Sequence, residues 1–408
     1  MRSDEELQSI LVLMFARKIT IAISSFAKSM AARRELSRLP LKEPRAYQGA
    51  HPQISQPKEV ACYSRDADRT VHFDRRALRT YRPPPLPVQL DEGFETFVEK
   101  AHARDDPAPL KDVLGALASK GVDVAASHIV TYRNNLNKLL LTPFQPDDDW
   151  EIGVERQGGG RVHLQVRETA RKAAEEARRD ERQRRFCYWG YKFEALCTAD
   201  ADAGGEREGW RPPSPSDLGT CAHLCSTAEL SRLRAHYAER QPAPAAPAAA
   251  VDANEEFCCV MSLGLERIKI LMAAEIDCAD EARDGGGGGF VELKTSKAPR
   301  SARDTANFER NKLLRYWVQS FLAGVPKIVV GFRDDQGEVT SVQPLRTMQI
   351  PRMVRGKPHG WDPSVALRFG HTVLDWVLRE AAKLPADDGA QLVLRFEPSE
   401  RALILYAT

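Results

Sequence analysis

Four ionisable residues fall into two pairs: Glu275 and Asp277 in AAEIDC, and Glu292 and Lys294 in FVELKTS, on either side of a glycine run at residues 285–289. Both stretches have the apolar, strand-length form in which residues two apart share a face. Joined as a hairpin through the glycines, they bring three carboxylates and one ammonium onto one sheet surface. Like charges repel there unless a divalent cation neutralises them. Hard oxygen donors favour Mg2+ or Mn2+ over zinc. Metal held this way polarises a phosphoryl oxygen and lowers the pKa of an attacking water, while Lys294 orients the water or offsets charge.

An acid, then acid-x-lysine, on adjoining strands is the layout of a restriction-endonuclease-like site. The ordinary alternative is an exposed hairpin with charged alternate residues. Apolar flanks and two acidic pairs in phase weigh against it. The glycines read as loop, because no Gly-Lys-Ser/Thr follows them.

The surrounding elements must position this set. NFERNKLLRYWVQSFLAGVPKIVVGF reads as a helix capped at Gly324 and stopped by Pro326, then a buried strand. Leu314, Trp317, Val318, Phe321 and Leu322 make its apolar stripe; Lys312, Arg315 and Gln319 lie on another face. That polar stripe is either solvated or tracks an RNA backbone. Residues 168–197 read as one long helix, charged first and apolar last, with 182–185 a solvated face more than a localisation signal. DWEIGVERQGGGRVHLQV alternates about glycines as a hairpin does, and the segment from VLGALASKG to TPF reads as helix, turn and a second amphipathic segment ended by Pro143.

Length and composition bound the rest. The 408 residues are 42% hydrophobic and 28% charged with a net charge of +2, which excludes general disorder and requires any nucleic-acid affinity to be local. Eight cysteines at irregular spacing suit a reducing compartment, and Cys221, His223 and Cys225 lack a second pair for zinc. Residues 1–45 read as an N-terminal extension, basic and amphipathic but too interrupted to span a bilayer; no membrane is expected. Residues 199–253, rich in Ala, Pro and Gly, read as an inserted loop within one domain covering 46–408.

YWGYKFE, AEIDC, FVELKTS and NKLLRYWVQSFLAGVPKIVVGFRDD, in that order, resemble the DXO decapping nuclease family, in particular its fungal nuclear members that partner the nuclear 5′-3′ exoribonuclease. QPKEVACYSRDADRTVHF and IVTYRNNLNKLLLTPF extend the resemblance toward the N-terminus. It implies a single α/β (α+β) domain of mixed sheets flanked by helices, with a metal site in a deep pocket. It also implies hydrolysis at the 5′ end of incompletely capped RNA: a triphosphate, an unmethylated cap or a NAD cap.

By motif, the resemblance makes Glu194, Glu275, Asp277, Glu292 and the Leu293 carbonyl metal ligands, with Glu275, Asp277, Glu292 and Lys294 the catalytic set. Lys294 and Gln319 would stand at the scissile phosphate, Tyr132 and Arg133 on RNA, and Arg69, Glu92 and Cys258 along the substrate. Where the family has Arg-Gly this chain has Arg133-Asn134, whose side chain would narrow the RNA channel or shift substrate preference; Ala274 replaces a glycine, a smaller change that matters where the backbone passes close to the substrate. The implied partners are RNA 5′ ends and the exoribonuclease, and the implied location is the nucleus. Against this enzyme reading stand a non-catalytic exonuclease-binding cofactor and a DNA-directed nuclease. The intact ligand set disfavours the first, the extent of the resemblance the second.

Overall fold

The computed structural model describes residues 33–101, 110–199, 250–280, 289–384 and 391–407. In chain order the strands are β1 (Arg34–Pro40), β2 (Lys58–Arg65), β3 (Val71–His72), β4 (Thr80–Tyr81), β5 (Val88–Gln89) and β6 (Ile129–Tyr132). After these come β7 (Trp150–Arg156), β8 (Val162–Arg167), β9 (Thr198–Ala199), β10 (Glu256–Leu265), β11 (Ile268–Glu275) and β12 (Cys278–Ala279). The last are β13 (Phe290–Lys297), β14 (Lys327–Arg333), β15 (Glu338–Arg346), β16 (Leu392–Glu397) and β17 (Ala402–Ala407).

These strands build two mixed sheets. One has ten strands in the order β1-β17-β16-β7-β8-β6-β11-β10-β2-β3, the other seven in the order β5-β15-β14-β13-β12-β4-β9. Three apolar layers hold them. The largest joins Ile270, Met272 and Ala274 of β11 to Ile328 and Val330 of β14 through the helices Arg133–Leu141, Leu314–Leu322 and Pro363–Ala382. The opposite face of the ten-stranded sheet, with Leu271 and Ala273, packs on Val113 and Leu117 of the helix Lys111–Ser119. The opposite face of the seven-stranded sheet, with Leu293 and Val329, packs on Tyr188, Trp189 and Phe193 of the helix Glu181–Leu196. Alternation along each strand is what sends neighbouring residues into different layers.

The two apolar runs do not form the expected hairpin. β11 lies between β6 and β10 in the larger sheet, whereas β13 pairs with β12 and β14 in the smaller one. The chain leaves one sheet at Ile276, whose amide still donates to the Phe257 carbonyl at 2.9 Å, and enters the other at Cys278, paired with Val291. Strand-strength patterning is local, and it cannot say which sheet a strand joins.

Other boundaries also shift. The run 168–197 is two helices, Ala170–Ala177 and Glu181–Leu196, because Asp180 makes a capping box with Gln183 and starts the second afresh. The segment before Pro143 holds a strand, β6, directly ahead of the helix Arg133–Leu141. Part of the expected N-terminal extension is folded: β1 pairs along β17. The far end of the expected insertion is folded too, with Val251 and Ala253 buried and Asp252 bridged to Val98, and so is its start, where Ala199 of β9 pairs with Thr80. Residues 1–32, the Cys221, His223 and Cys225 set, and most of the glycine run lie outside the described residues.

The hairpin of β7 and β8 and the strand after Pro326 form as expected. Gly324, at φ +66, ends the helix Leu314–Leu322 in a Schellman arrangement. The Val325 amide donates to Ser320 O at 2.9 Å, and Gly324 N donates to Phe321 O at 3.2 Å. Among the described residues no helix is long and apolar enough to cross a membrane.

Gly331 of β14 lets the helix Glu181–Leu196 lie directly on the sheet. A methyl there would stand 2.5 Å from Phe193 Cε2, one residue from Glu194. Gly331→Ala is expected to lower stability by about 1–3 kcal/mol, as overpacking does. Urea denaturation measures this, and Phe193→Leu in the same background should recover part of it.

Candidate active site

Three elements from the three apolar layers meet where the chain crosses between the sheets. Glu275 ends β11, on the same alternation as Leu271 and Ala273. Glu292 and Lys294 on β13 alternate with Val291 and Leu293, which face the other way. Glu194 lies in the last turn of the helix Glu181–Leu196. Asp277 sits in the crossing itself, and its Oδ2 accepts the Leu293 amide at 2.6 Å. β12 pairs with β13 only at Val291 and Phe290, so a side chain replaces the next rung of the ladder.

Glu292 is 1% exposed in its side chain and is surrounded by donors. Lys294 Nζ and Gln319 Nε2 both donate to its Oε1, and Arg133 Nη1 donates to Oε2 at 3.4 Å. Lys294 Nζ also lies 3.7 Å from Asp277 Oδ2. Glu275 is more open and pairs with Lys100 Nζ at 3.3 Å. The same ammonium reaches Glu256 Oε2 at 2.5 Å, and Glu256 is in turn held by Arg65, which also binds Asp112.

The charges explain the titration behaviour. Burial, then the Glu292 carboxylate, pushes Asp277 up to about 7, against the opposing pull of Lys294 and the Leu293 amide. Burial and then Asp277 push Glu194 well above the usual carboxylate range. Burial would raise Glu292 as well, but Lys294 and Arg133 hold it below its ordinary value. Burial would lower Lys294, yet Glu292, Asp277 and Glu194 together raise it. The surrounding carboxylates therefore favour the ammonium form of Lys294.

Four carboxylates around one lysine leave an excess of negative charge. Among the described residues no three Asp, Glu, His or Cys side chains converge into a finished ion cage. Glu275, Asp277 and Glu292 each have a protein donor: Lys100, the Leu293 amide and Lys294. The donor set fits a hard divalent cation nonetheless, since raised acids within one buried cluster are what an added positive charge would relieve. Glu194, Glu275, Asp277, Glu292 and the Leu293 carbonyl are the residues available to hold it.

The structure therefore gathers Glu194, Glu275, Asp277, Glu292, Leu293, Lys294, Gln319 and Arg133. Tyr132 closes β6 immediately before Arg133, and Cys258 stands opposite Glu275 in the β10–β11 register. Arg69 does not reach the carboxylates by any hydrogen bond or ion pair. It occupies the turn between β2 and β3 at φ 66, with Nη1 buried and unpartnered.

Glu92 has an exposed side chain, and its backbone carbonyl accepts the Tyr188 hydroxyl. Asn134 is exposed on its helix, and Ala274 is 2% exposed within the main core. Sequence reasoning missed Lys100, Glu256, Arg65 and Asp112. Lys100 is 175 positions from Glu275, so no local spacing could signal the pair.

Residues 55–407 match the family described as RAI1 like PD-(D/E)XK nuclease. The chain is 31% identical over 336 residues to the decapping nuclease RAI1 of Emericella nidulans, covering 81% of this chain and 84% of that one. It is 32% identical over 340 residues to the human decapping and exoribonuclease protein, covering 80% and 76%. The crystal structure of Schizosaccharomyces pombe Rai1 in complex with 3′-FADP superposes with a TM-score of 0.67 at 28% identity, covering 92% of this chain and 99% of that chain.

Because folding raises Asp277 toward about 7, the folded form binds this proton more tightly than the unfolded chain does. Its contribution to stability is full below the ordinary carboxylate pKa and is lost as pH rises through about 7. Asp277→Asn is therefore expected to raise the melting temperature of chelator-treated protein at about pH 8, by a few degrees, and to change it little at about pH 4. Thermal melts at the two pH values check this; equal shifts at both would contradict the repulsion.

Proposed function

Since the chain belongs to the RAI1-like PD-(D/E)XK nuclease family and shares its decapping nuclease character, we propose that it hydrolyses the 5′ end of incompletely capped RNA with a divalent metal, Mg2+ or Mn2+. Substrates on this reading are 5′-triphosphate, unmethylated-cap and NAD-cap ends. All three present a phosphoanhydride beside the first nucleotide. The 3′-FADP bound to the S. pombe relative, itself a dinucleotide with a pyrophosphate, supports an active site that accepts such ends.

The observation that carries the reading is the arrangement around Glu292. A carboxylate this buried, flanked by Lys294, Gln319 and Arg133, sits beside two acids whose pKa burial and mutual repulsion raise. Metal bound to the carboxylates supplies a Lewis acid and an acidified water. The chain's own groups do the rest. Lys294, whose ammonium form the carboxylates favour, offsets negative charge that grows on the phosphoryl oxygens. Gln319 donates a neutral hydrogen bond from the neighbouring helix and, with Lys294, fixes the reacting phosphate. Arg133 keeps Glu292 ionised, and Lys100 holds Glu275 in place from the far side.

The proposal extends to association with a nuclear 5′-3′ exoribonuclease and hence to the nucleus. What supports that extension is the resemblance to fungal members which have such a partner. Calorimetric titration with the exoribonuclease tests it: wild type and the Glu275→Ala, Asp277→Ala double variant are both expected to bind, with affinities equal within a few tenths of a kcal/mol, since a buried metal site adds nothing to a remote surface.

For the enzyme itself, Glu275→Ala and Asp277→Ala are each expected to lower hydrolysis by at least about 10²-fold, the scale of one well-placed electrostatic group. RNAs labelled at the 5′ phosphate, carrying each kind of end, read this out with and without chelator. Near-wild-type turnover by either variant at saturating Mg2+ would refute the assignment.

A further inference from the structure

The ion pairs beyond Glu275 form a chain of their own on one face of the ten-stranded sheet. Cys258 lies opposite Glu275 in the β10–β11 register and Glu256 is two residues earlier on β10, so both acids project to the same side. Arg65 lies opposite Glu256 in the β2–β10 register and bridges it to Asp112 on the helix Lys111–Ser119. Lys100 Nζ stands between the two acids, 2.5 Å from Glu256 Oε2 and 3.3 Å from Glu275 Oε2. In order the groups are Glu275, Lys100, Glu256, Arg65 and Asp112, and the sign of the charge alternates at every step.

The segment that carries Lys100 is fixed independently of these charges. Asn254 donates from Nδ2 to the Glu99 carbonyl at 3.3 Å, and its Oδ1 accepts the Ala101 amide at 2.8 Å. One buried side chain thus clamps the residues on both sides of Lys100. Val98 N donates to the Val251 carbonyl at 3.0 Å, and Ala253 N donates to the Val98 carbonyl at 2.9 Å. The ammonium therefore has a fixed root and two carboxylates within its reach.

Five alternating charges that begin and end with an acid carry one surplus negative charge. Its place in the chain matters, because the Glu256 side chain is 5% exposed and that of Glu275 41%. Taking a cation from a buried carboxylate costs much more than taking one from a carboxylate that water reaches. Lys100, Glu256, Arg65 and Asp112 are neutral as a set of four. Glu275 is thus the member that can be released without leaving a buried charge unpaired.

We propose that Lys100 is a resident counter-ion of Glu275 that yields this carboxylate to a divalent cation and stays on Glu256, so that Lys100 sets the metal affinity of the active site. An ammonium and a metal ion compete for the same carboxylate, and Glu256 gives the losing ammonium a partner. The inference rests on the proposed metal site and deepens it. Lys100 acts through Glu275 and is a positioning residue.

The test follows Mn2+ binding by calorimetry, on the full chain cleared of metal with chelator and without RNA, so that the readout is independent of turnover. Lys100→Met is expected to tighten Mn2+ binding about fivefold, a modest factor because water screens so open a pair. Glu256→Gln is expected to weaken it about threefold, since Glu275 is then the one carboxylate that Lys100 contacts among the described residues, and to change little in the Lys100→Met background. Unchanged binding by Lys100→Met overturns the proposal. Weaker binding also overturns it and marks Lys100 as a support that the metal needs. Equal effects of Glu256→Gln with and without Lys100 overturn it as well, as a field of the buried acid alone. If Lys100→Met does not fold, Glu256→Gln by itself decides: unchanged or tighter binding refutes the competition. Glu275→Ala separates this proposal from the functional reading beneath it. Wild-type Mn2+ affinity in that variant removes the metal site and the proposal together, whereas loss of Mn2+ binding there, beside unchanged binding by Lys100→Met, removes the role of Lys100 alone.

Discussion

The short crossing at Ile276, Asp277 and Cys278 governs the rest of the molecule. Ile276 still bonds to β10 and Cys278 already pairs with β13, so Asp277 is clamped at both ends and braces Leu293 through its own carboxylate. These residues join through the backbone two sheets that share no ladder and that the main apolar core packs together through its helices. Every acid in the site depends on that packing, because Glu275 arrives on one sheet and Glu292 on the other.

The arrangement is electrostatically unfavourable by itself. Four carboxylates share a partly buried volume, and burial with mutual repulsion raises two of them, Asp277 and Glu194, above the usual carboxylate range. Protein cations supply partial relief from opposite sides: Lys294 and Arg133 on Glu292, Lys100 on Glu275. Removing one partner of such a buried pair leaves the other uncompensated, which costs more than the pair contributes. The remaining imbalance is the driving force for a divalent cation, and it is also a stability cost of the kind that functional sites carry.

Support for this strained centre comes from ordinary packing around it. Phe193 and Gly331 seat the helix that carries Glu194, and the Schellman turn at Gly324 ends the helix that carries Gln319 before β14 begins. That second helix also contains a π turn, Phe308–Leu313, ahead of Leu314. There Glu309 binds Lys357 and His359 at 2.7 and 2.6 Å, and its carbonyl takes the Trp361 indole at 3.0 Å. Insertions of this type re-aim the residues that follow, and Gln319 is among them.

The sequence alone determined the chemistry. Acids spaced by two, an E-x-K on an apolar strand and a polar helix face with Gln319 named most of the residues that meet, because strand and helix periodicities are local and survive in any fold that forms those elements. It also carried the hairpin of β7 and β8 and the stop at Gly324 and Pro326. The tertiary structure alone decided which sheet each strand joins, and so turned an expected hairpin into a junction of two sheets. It added β1 and the stretch around Val251 to the fold, and brought Lys100 to Glu275. Those outcomes depend on pairings between residues far apart in the chain, where partner choice is fixed by burial of whole faces, and no short window of residues contains that information.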